Sequence, residues 1–363
     1  MKARGTRTAV VAALTLSILA ASAAADAAPG GEPDFQALLD RVVAGGAVAA
    51  IAEVRDGDKV WRGASGRARL GAARPAPVDG RFRIGSVTKS FTATVVLQLV
   101  GEGRLSLSDS VERWLPGLVD RGAGITVRHL LQHTSGLPEY TTGMMDRWGV
   151  PRQRYRTWSA RELVARAEAL PRRLAPGAGF DYSNTNYIVL GLLIERVTGG
   201  SYAAEIGKRI LRPLGLRHTH LPGASPAVPG PHAHAYVPVT RKGKVVPVDL
   251  TRFDPTMAGA AGEIISTTAD LNRFYRALFQ GGLLRPAQLK EMKDLGRTEE
   301  YGLGLEAGPL PCGTAWGHGG GPFYKTVAFS SADGSRQVAL SMTPLSGDPE
   351  QAALALLTAA LCR

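Results

Sequence analysis

Three short patterns, each occurring once, bring together side chains capable of acyl transfer: Ser86-Val87-Thr88-Lys89, Tyr182-Ser183-Asn184 and His318-Gly319-Gly320. A serine hydroxyl is a weak nucleophile and needs a base within hydrogen-bond reach. Lys89 stands three residues after Ser86, at the head of a run containing Val95, Val96, Leu99 and Val100. If that run is a buried helix, the two side chains share a face one turn apart. Burial would strip the lysine of hydration, lower its pKa and leave an amine able to accept the serine proton. The start of such a helix also offers N–H groups and positive potential where an oxyanion forms. Tyr182, near an ammonium, is expected to have its phenolate favoured and to carry the proton to the leaving group. Asn184 can both donate to and accept from a substrate amide. Gly319, Gly320 and Gly321 would open a strand edge to a substrate backbone. In a purely structural reading Ser86 caps a core helix, Tyr182 is a half-buried aromatic and His318 a turn residue. The ordered set of three patterns outweighs it.

Other elements must hold these residues. Pro33 to Val43 carries Phe35, Leu38, Leu39, Val42 and Val43 at helical spacing. Ala47 to Val54 and Lys59 to Gly66, joined by Arg55-Asp56-Gly57-Asp58, read as a β-hairpin. Near the other end, Thr326 to Ser330 and Gln337 to Met342 flank Ala332-Asp333-Gly334 as a second hairpin, followed by a helix over Pro349 to Leu361. The middle, roughly 91–279, shows mostly helical patterns broken by Gly and Pro loops. Tyr182-Ser183-Asn184 falls on a loop just ahead of an apolar helix over Asn186 to Val197. The expected architecture is α/β of the α+β type, with a mixed sheet built from both chain ends and a helical region inserted between them. The sequence of 363 residues suits a two-lobed globule or two intimately packed domains.

Lys2, Arg4 and Arg7 precede the apolar run Ala9 to Ala20, and small residues surround Ala25-Asp26-Ala27. Residues 1–27 therefore read as a secretory signal peptide, with a core too short to span a bilayer. The expectation is a secreted, extracellular, soluble protein starting near Ala28, with no transmembrane segment once the signal is removed. Loss of Lys2, Arg4, Arg7 and Asp26 lowers the formal charge of +12 by two, which still suits anionic wall polymers or lipid head groups. The basic residues are dispersed and no nucleic-acid-binding motif accompanies them, so no nucleic-acid partner is expected. No association element is evident, so a monomer is expected. Cys312 and Cys362 are the two cysteines. In an oxidising compartment an even count suggests one disulfide, two buried free thiols being the alternative. His218, His220, His232 and His234 form two His-x-His pairs. A Pro- and Gly-rich loop separates them and no Cys or carboxylate completes the set, so neither a metal nor a cofactor is expected. The Arg-rich stretch from Arg147 to Arg173 contains Glu162 and Glu168 at helix-compatible positions and reads as a solvated helix face.

With these residues in hand, nearly the whole mature chain resembles the serine D-alanyl-D-alanine carboxypeptidases, class C β-lactamases and related esterases. The likeness is carried by Arg83-Ile84-Gly85-Ser86-Val87-Thr88-Lys89-Ser90-Phe91, His133-Thr134-Ser135-Gly136-Leu137, Tyr182-Ser183-Asn184-Thr185-Asn186 and Tyr301-Gly302-Leu303-Gly304-Leu305. It looks closest to exported carboxypeptidases, because Cys312 and Cys362 sit where a disulfide-bearing member would have them. The resemblance implies a β-lactamase/transpeptidase-like fold, an antiparallel sheet flanked by helices plus an all-helical lobe, with the site between the lobes. It implies Ser86 as nucleophile, Lys89 as its base, Tyr182 as proton carrier and Asn184 on the acyl side. The oxyanion hole would be the N–H groups of Ser86 and Gly321, and His318 would set the electrostatics and share a proton network with Tyr182. Two positions depart from the carboxypeptidase pattern. Gly319 replaces the usual Thr whose hydroxyl helps bind a terminal carboxylate, and Glu306 falls where an arginine often assists it.

The function expected is an acyl-enzyme serine hydrolase, foremost a penicillin-binding D-alanyl-D-alanine carboxypeptidase acting on peptidoglycan stem peptides. An esterase, D-aminopeptidase or β-lactamase-like hydrolase of the same superfamily is the alternative that Gly319 and Glu306 favour. A non-catalytic penicillin- or wall-binding module is the third, and it has no use for an activated serine.

Overall fold

The computed structural model describes residues 33–362. The signal peptide read at 1–27 lies outside them. Asp34 opens helix α1 (Phe35–Ala44) by accepting the Ala37 N–H at 2.9 Å, and the apolar spacing buries Phe35, Leu39 and Val42. Gly46, at φ +116°, then turns the chain into strand β1 (Ala47–Asp56) and its hairpin partner β2 (Lys59–Gly66). Four further strands, β7 (Glu306–Leu310), β8 (Gly313–Gly320), β9 (Lys325–Ser330) and β10 (Arg336–Pro344), come from the other end of the chain. They complete a six-stranded antiparallel sheet in the order β2-β1-β10-β9-β8-β7. Both expected terminal hairpins are present, and the helix over Pro349–Leu361, α10, has the bounds read from sequence. Helices α1 and α10 cover one face of the sheet, their Leu39, Val42, Leu356 and Leu357 meeting Val54, Val338 and Leu340.

The other face is covered by helix α8 (Thr268–Phe279) and the helical region beyond it. At its centre runs α2 (Thr88–Gly101), in which only Gln98, Val100 and Gly101 are not buried. Phe91 of α2 stacks on Phe274 of α8 at 3.8 Å between ring centroids. Helix α6 (Asn184–Thr198) packs against α2 and is buried from Thr185 to Gly191 and at Leu193 and Ile194, while its last turn reaches the surface at Arg196. The Arg-rich stretch forms α5 (Ala160–Glu168), opened by a capping box between Ser159 and Glu162. Arg156 pairs with Glu162 and Arg172 with Glu168, each at 3.1 Å. The fold is the β-lactamase/transpeptidase-like arrangement that the resemblance implied. Among the described residues no helix is long and apolar enough to cross a membrane.

The middle of the chain is less helical than its patterns suggest. Strands β3 (Phe82–Arg83) and β6 (Ile265–Ser266) pair beside the start of α2. Strands β4 (Tyr236–Arg241) and β5 (Lys244–Asp249) form a separate ribbon. Pro238 and Pro247 obscure this ribbon in the sequence, since proline is excluded from central strands. They lie directly opposite one another, in a two-stranded ribbon where both strands are edges. Cys312, in the β7–β8 turn, is bonded to Cys362 at the end of α10, with the Cα atoms 5.4 Å apart.

Candidate active site

The chain leaves β3 through Ile84 and Gly85 into a single 3-10 turn, Gly85–Val87, which runs on into α2. Ser86 lies on that turn, partly exposed, and Lys89 one turn further, fully buried. The turn is seated against β8. A Cβ on Gly320 would lie 2.0 Å from Ile84 O and 3.2 Å from Ser86 N, and one on Gly85 would lie 2.6 Å from Gly321 N. Gly85 is at φ +53°. Backbone therefore meets backbone here, bringing the Ser86 and Gly321 amides to the same corner of the site.

Lys89 Nζ lies 2.9 Å from Ser86 Oγ, 2.7 Å from Asn184 Oδ1 and 2.9 Å from Ala261 O. Burial lowers its pKa to about 7, against the opposing pull of the Glu139 and Glu306 carboxylates. The amide oxygen of Asn184 and the carbonyl of Ala261 only accept. A neutral Lys89 thus gives its two hydrogens to them and turns its lone pair toward the Ser86 hydroxyl. Tyr182 Oη donates to Ser86 Oγ at 3.0 Å. Contrary to the sequence expectation, its phenolate is disfavoured: desolvation raises its pKa well above the usual phenol value, and Glu306 and Glu139 push the same way. Tyr182 therefore rests as a neutral donor. The three groups can deprotonate a serine and return a proton to a leaving atom beside it.

His318 is buried on β8, and its ring nitrogens meet groups other than Tyr182. Its Nδ1 lies 2.5 Å from Gly319 O and 3.2 Å from Glu306 Oε1, and its Nε2 lies 2.9 Å from Tyr301 Oη. Gly319 O only accepts, so Nδ1 carries the hydrogen and Nε2 accepts from the Tyr301 hydroxyl. Burial and the nearby Lys89 lower the His318 pKa to about 3, so its contact with Glu306 is not an ion pair. Tyr301, which bonds His318, meets Tyr182 only ring to ring, edge-on with centroids 6.2 Å apart, a contact that passes no proton. The open strand edge expected at Gly319 is also filled, since its N–H donates to Glu306 Oε2 at 3.0 Å.

Two side chains at the site escaped the sequence reading. Glu139 accepts the Asn184 backbone N–H at 2.8 Å and its Nδ2 at 2.9 Å, which fixes Oδ1 toward Lys89. His133, at φ +57°, stacks on Tyr182 with centroids 4.1 Å apart and takes the Ser183 N–H on Nδ1. Both belong to the His133–Glu139 stretch, and the signal was its resemblance to the family's pattern up to Leu137. Of the paired histidines, His218 Nδ1 meets Arg81 at 3.0 Å and His232 meets Gly230 O at 2.7 Å, while His234, stacked on His232 with centroids 5.5 Å apart, meets Asp249 at 2.6 Å.

The profile of the beta-lactamase family matches residues 35–361. A penicillin-binding protein of Bacillus subtilis (strain 168) is 32% identical over 293 residues, spanning 76% of this chain and 64% of its own length. Esterase EstB of Burkholderia gladioli is 34% identical over 311 residues, 78% of this chain and 76% of the esterase. Among solved structures, a D-stereospecific amidohydrolase from Streptomyces sp. superposes with a TM-score of 0.81 at 40% identity, over 91% of this chain and 99% of that one.

Proposed function

The chain belongs to the beta-lactamase family of serine hydrolases, and from that premise we propose that it hydrolyses amides and esters of D-amino acids with a free α-ammonium, through an acyl-enzyme on Ser86. Neutral Lys89 takes the hydroxyl proton as Ser86 Oγ bonds to the substrate carbonyl carbon. The amides of Ser86 and Gly321 hold the oxyanion. Tyr182 gives its proton to the departing nitrogen or oxygen as the carbonyl–leaving-group bond breaks, and is reprotonated from Lys89. A water then adds to the ester and releases the acid, the same groups working in reverse.

The observation that carries the substrate class is Glu139. Its half-buried carboxylate is fastened to Asn184, the residue assigned to the acyl side, where it suits an ammonium on the acyl donor. The D configuration rests on likeness to the Streptomyces D-stereospecific amidohydrolase. The carboxypeptidase alternative needs an anchor for a terminal carboxylate, and Glu306 occupies the spot on Gly319 where one would sit. Work outside the cytoplasm is part of the proposal, supported by the signal-peptide pattern at 1–27 and the Cys312–Cys362 disulfide.

The test compares D-phenylalaninamide, its N-acetyl derivative and diacetyl-Lys-D-Ala-D-Ala. Acetylation is expected to lower kcat/KM by about tenfold or more, and Glu139→Gln to erase most of that difference, as loss of a charge-assisted hydrogen bond requires. Faster turnover of the diacetylated peptide would return the protein to the carboxypeptidases.

A further inference from the structure

Glu306 has no part in the proton transfers described above, yet it stands at the site. It opens β7, pairs across to Gly317 of β8, and is about one-fifth exposed. Its Oε2 accepts the Gly319 N–H at 3.0 Å, and its Oε1 lies 3.2 Å from His318 Nδ1. Along β8 the amides of Gly317 and Gly319 point to the same side. Gly321, whose amide is assigned to the oxyanion, follows directly after the strand ends at Gly320, so the Gly319 amide, with Glu306 on it, lies at most about 7 Å of extended chain from it. The leaving group must depart on the side of Tyr182, and Tyr182 adjoins Tyr301, which bonds His318. Glu306 is thus joined through His318 and Tyr301 to the side of the site that Tyr182 occupies. Its charge raises the pKa of both Lys89 and Tyr182.

We propose that Glu306 is a specificity-determining residue for the leaving group, rejecting leaving groups that carry a carboxylate and admitting neutral or ammonium-bearing ones. Like charges brought together in such a site repel, and the Gly319 N–H that would otherwise be open to a substrate carboxylate is already occupied. The inference deepens the reading of the preceding subsection and rests on it for acylation at Ser86, but it does not depend on the acyl group being a D-amino acid.

Burial raises the Glu306 carboxyl to about 7, opposed by the Gly319 N–H and Lys89 and reinforced by Glu300. The other titratable groups around it are His318, Tyr182, Tyr301 and Tyr275. The histidine is neutral with its pKa near 3 and the tyrosines are pushed up, so around neutrality the changing charges are those of Glu306 and Lys89. A Lys89 effect is common to any two substrates and cancels in their ratio, whereas a Glu306 effect on leaving-group charge does not.

The experiment measures kcat/KM for two matched pairs, D-Ala-D-Ala against D-Ala-D-Ala-amide, and 3-carboxyphenyl against 3-carbamoylphenyl acetate. In the native protein the neutral member of each pair is expected to be favoured by tenfold or more at pH 8, with the preference shrinking as the pH falls below about 7 and Glu306 takes up its proton. Glu306→Gln keeps an oxygen for the Gly319 N–H; it is expected to bring each ratio within about threefold of unity and to make it independent of pH, while Glu306→Asp retains the preference. An unchanged ratio in Glu306→Gln, or a native preference for the carboxylate, would overturn the proposal. Turnover of the esters with none of the dipeptides would sink the D-aminoacyl reading while the ester pair still decides the role of Glu306.

Discussion

Lys89 has three hydrogen-bond partners and, once neutral, two hydrogens to share among them. Because Asn184 Oδ1 and Ala261 O cannot donate, the lone pair is left for Ser86. The base form grows as the pH rises through about 7, so kcat/KM for a neutral-leaving-group substrate is expected to climb across that range and level off above it. Glu306 raises the lysine's pKa when ionised, so in Glu306→Gln the same limb should move to lower pH. Lys89→Arg stays charged throughout and is expected to lose on the order of 10²–10⁴ in rate. A kcat/KM flat between pH 5 and 9 in the native protein would show that Lys89 is not the group that titrates. The Ser86–Lys89 pair was legible in sequence because a three-residue spacing on a helix fixes a shared face. Glu139 was not, since it meets Asn184 across 45 residues of chain and lies on a loop with no periodicity. The neutral state of Tyr182 was not legible in sequence, because the desolvation that raises its pKa depends on how the packed site encloses the ring.

At the scale of elements, the site is a seam between the turn before α2 and strand β8. No side chain fits in that seam at residue 320. Gly320→Ala is expected to destabilise the fold by about 1–3 kcal/mol, as overpacking does, and to cost more activity than stability by displacing the Ser86 amide. Thermal unfolding and kcat measured on one preparation check this, and a variant with native activity would show that the seam is looser than the contacts require. The terminal hairpins were readable because their turns carry Gly and Asp between apolar runs, as in Arg55-Asp56-Gly57-Asp58. The β4–β5 ribbon was not, because Pro238 and Pro247 read as breaks until their pairing is seen. The crossing of Gly319 by Glu306 was equally hidden, since it depends on how β7 registers with β8.

Over the whole molecule, the chain ends meet. β1 lies beside β10, α1 packs on α10, and the Cys312–Cys362 bond ties the end of α10 to the β7–β8 turn across 50 residues. Closing a loop of that length stabilises by at most about 4 kcal/mol through chain entropy. The helical region is thereby inserted into a sheet that both ends complete, and the nucleophile sits where its central helix α2 leaves the sheet side. The overall architecture could be read from where hairpins and helical periods fall along the chain, whereas the seating of α2 against β8 required the packed structure. The proposed catalysis turns on a covalent step in which Ser86 carries the acyl group. Acid-quenched protein caught during turnover of a D-phenylalanine ester, analysed by intact mass and peptide mapping, is expected to show one D-phenylalanyl group on the peptide containing Ser86. The label should be absent from Ser86→Ala, together with turnover. A label on another residue, or full turnover by Ser86→Ala, would contradict the account.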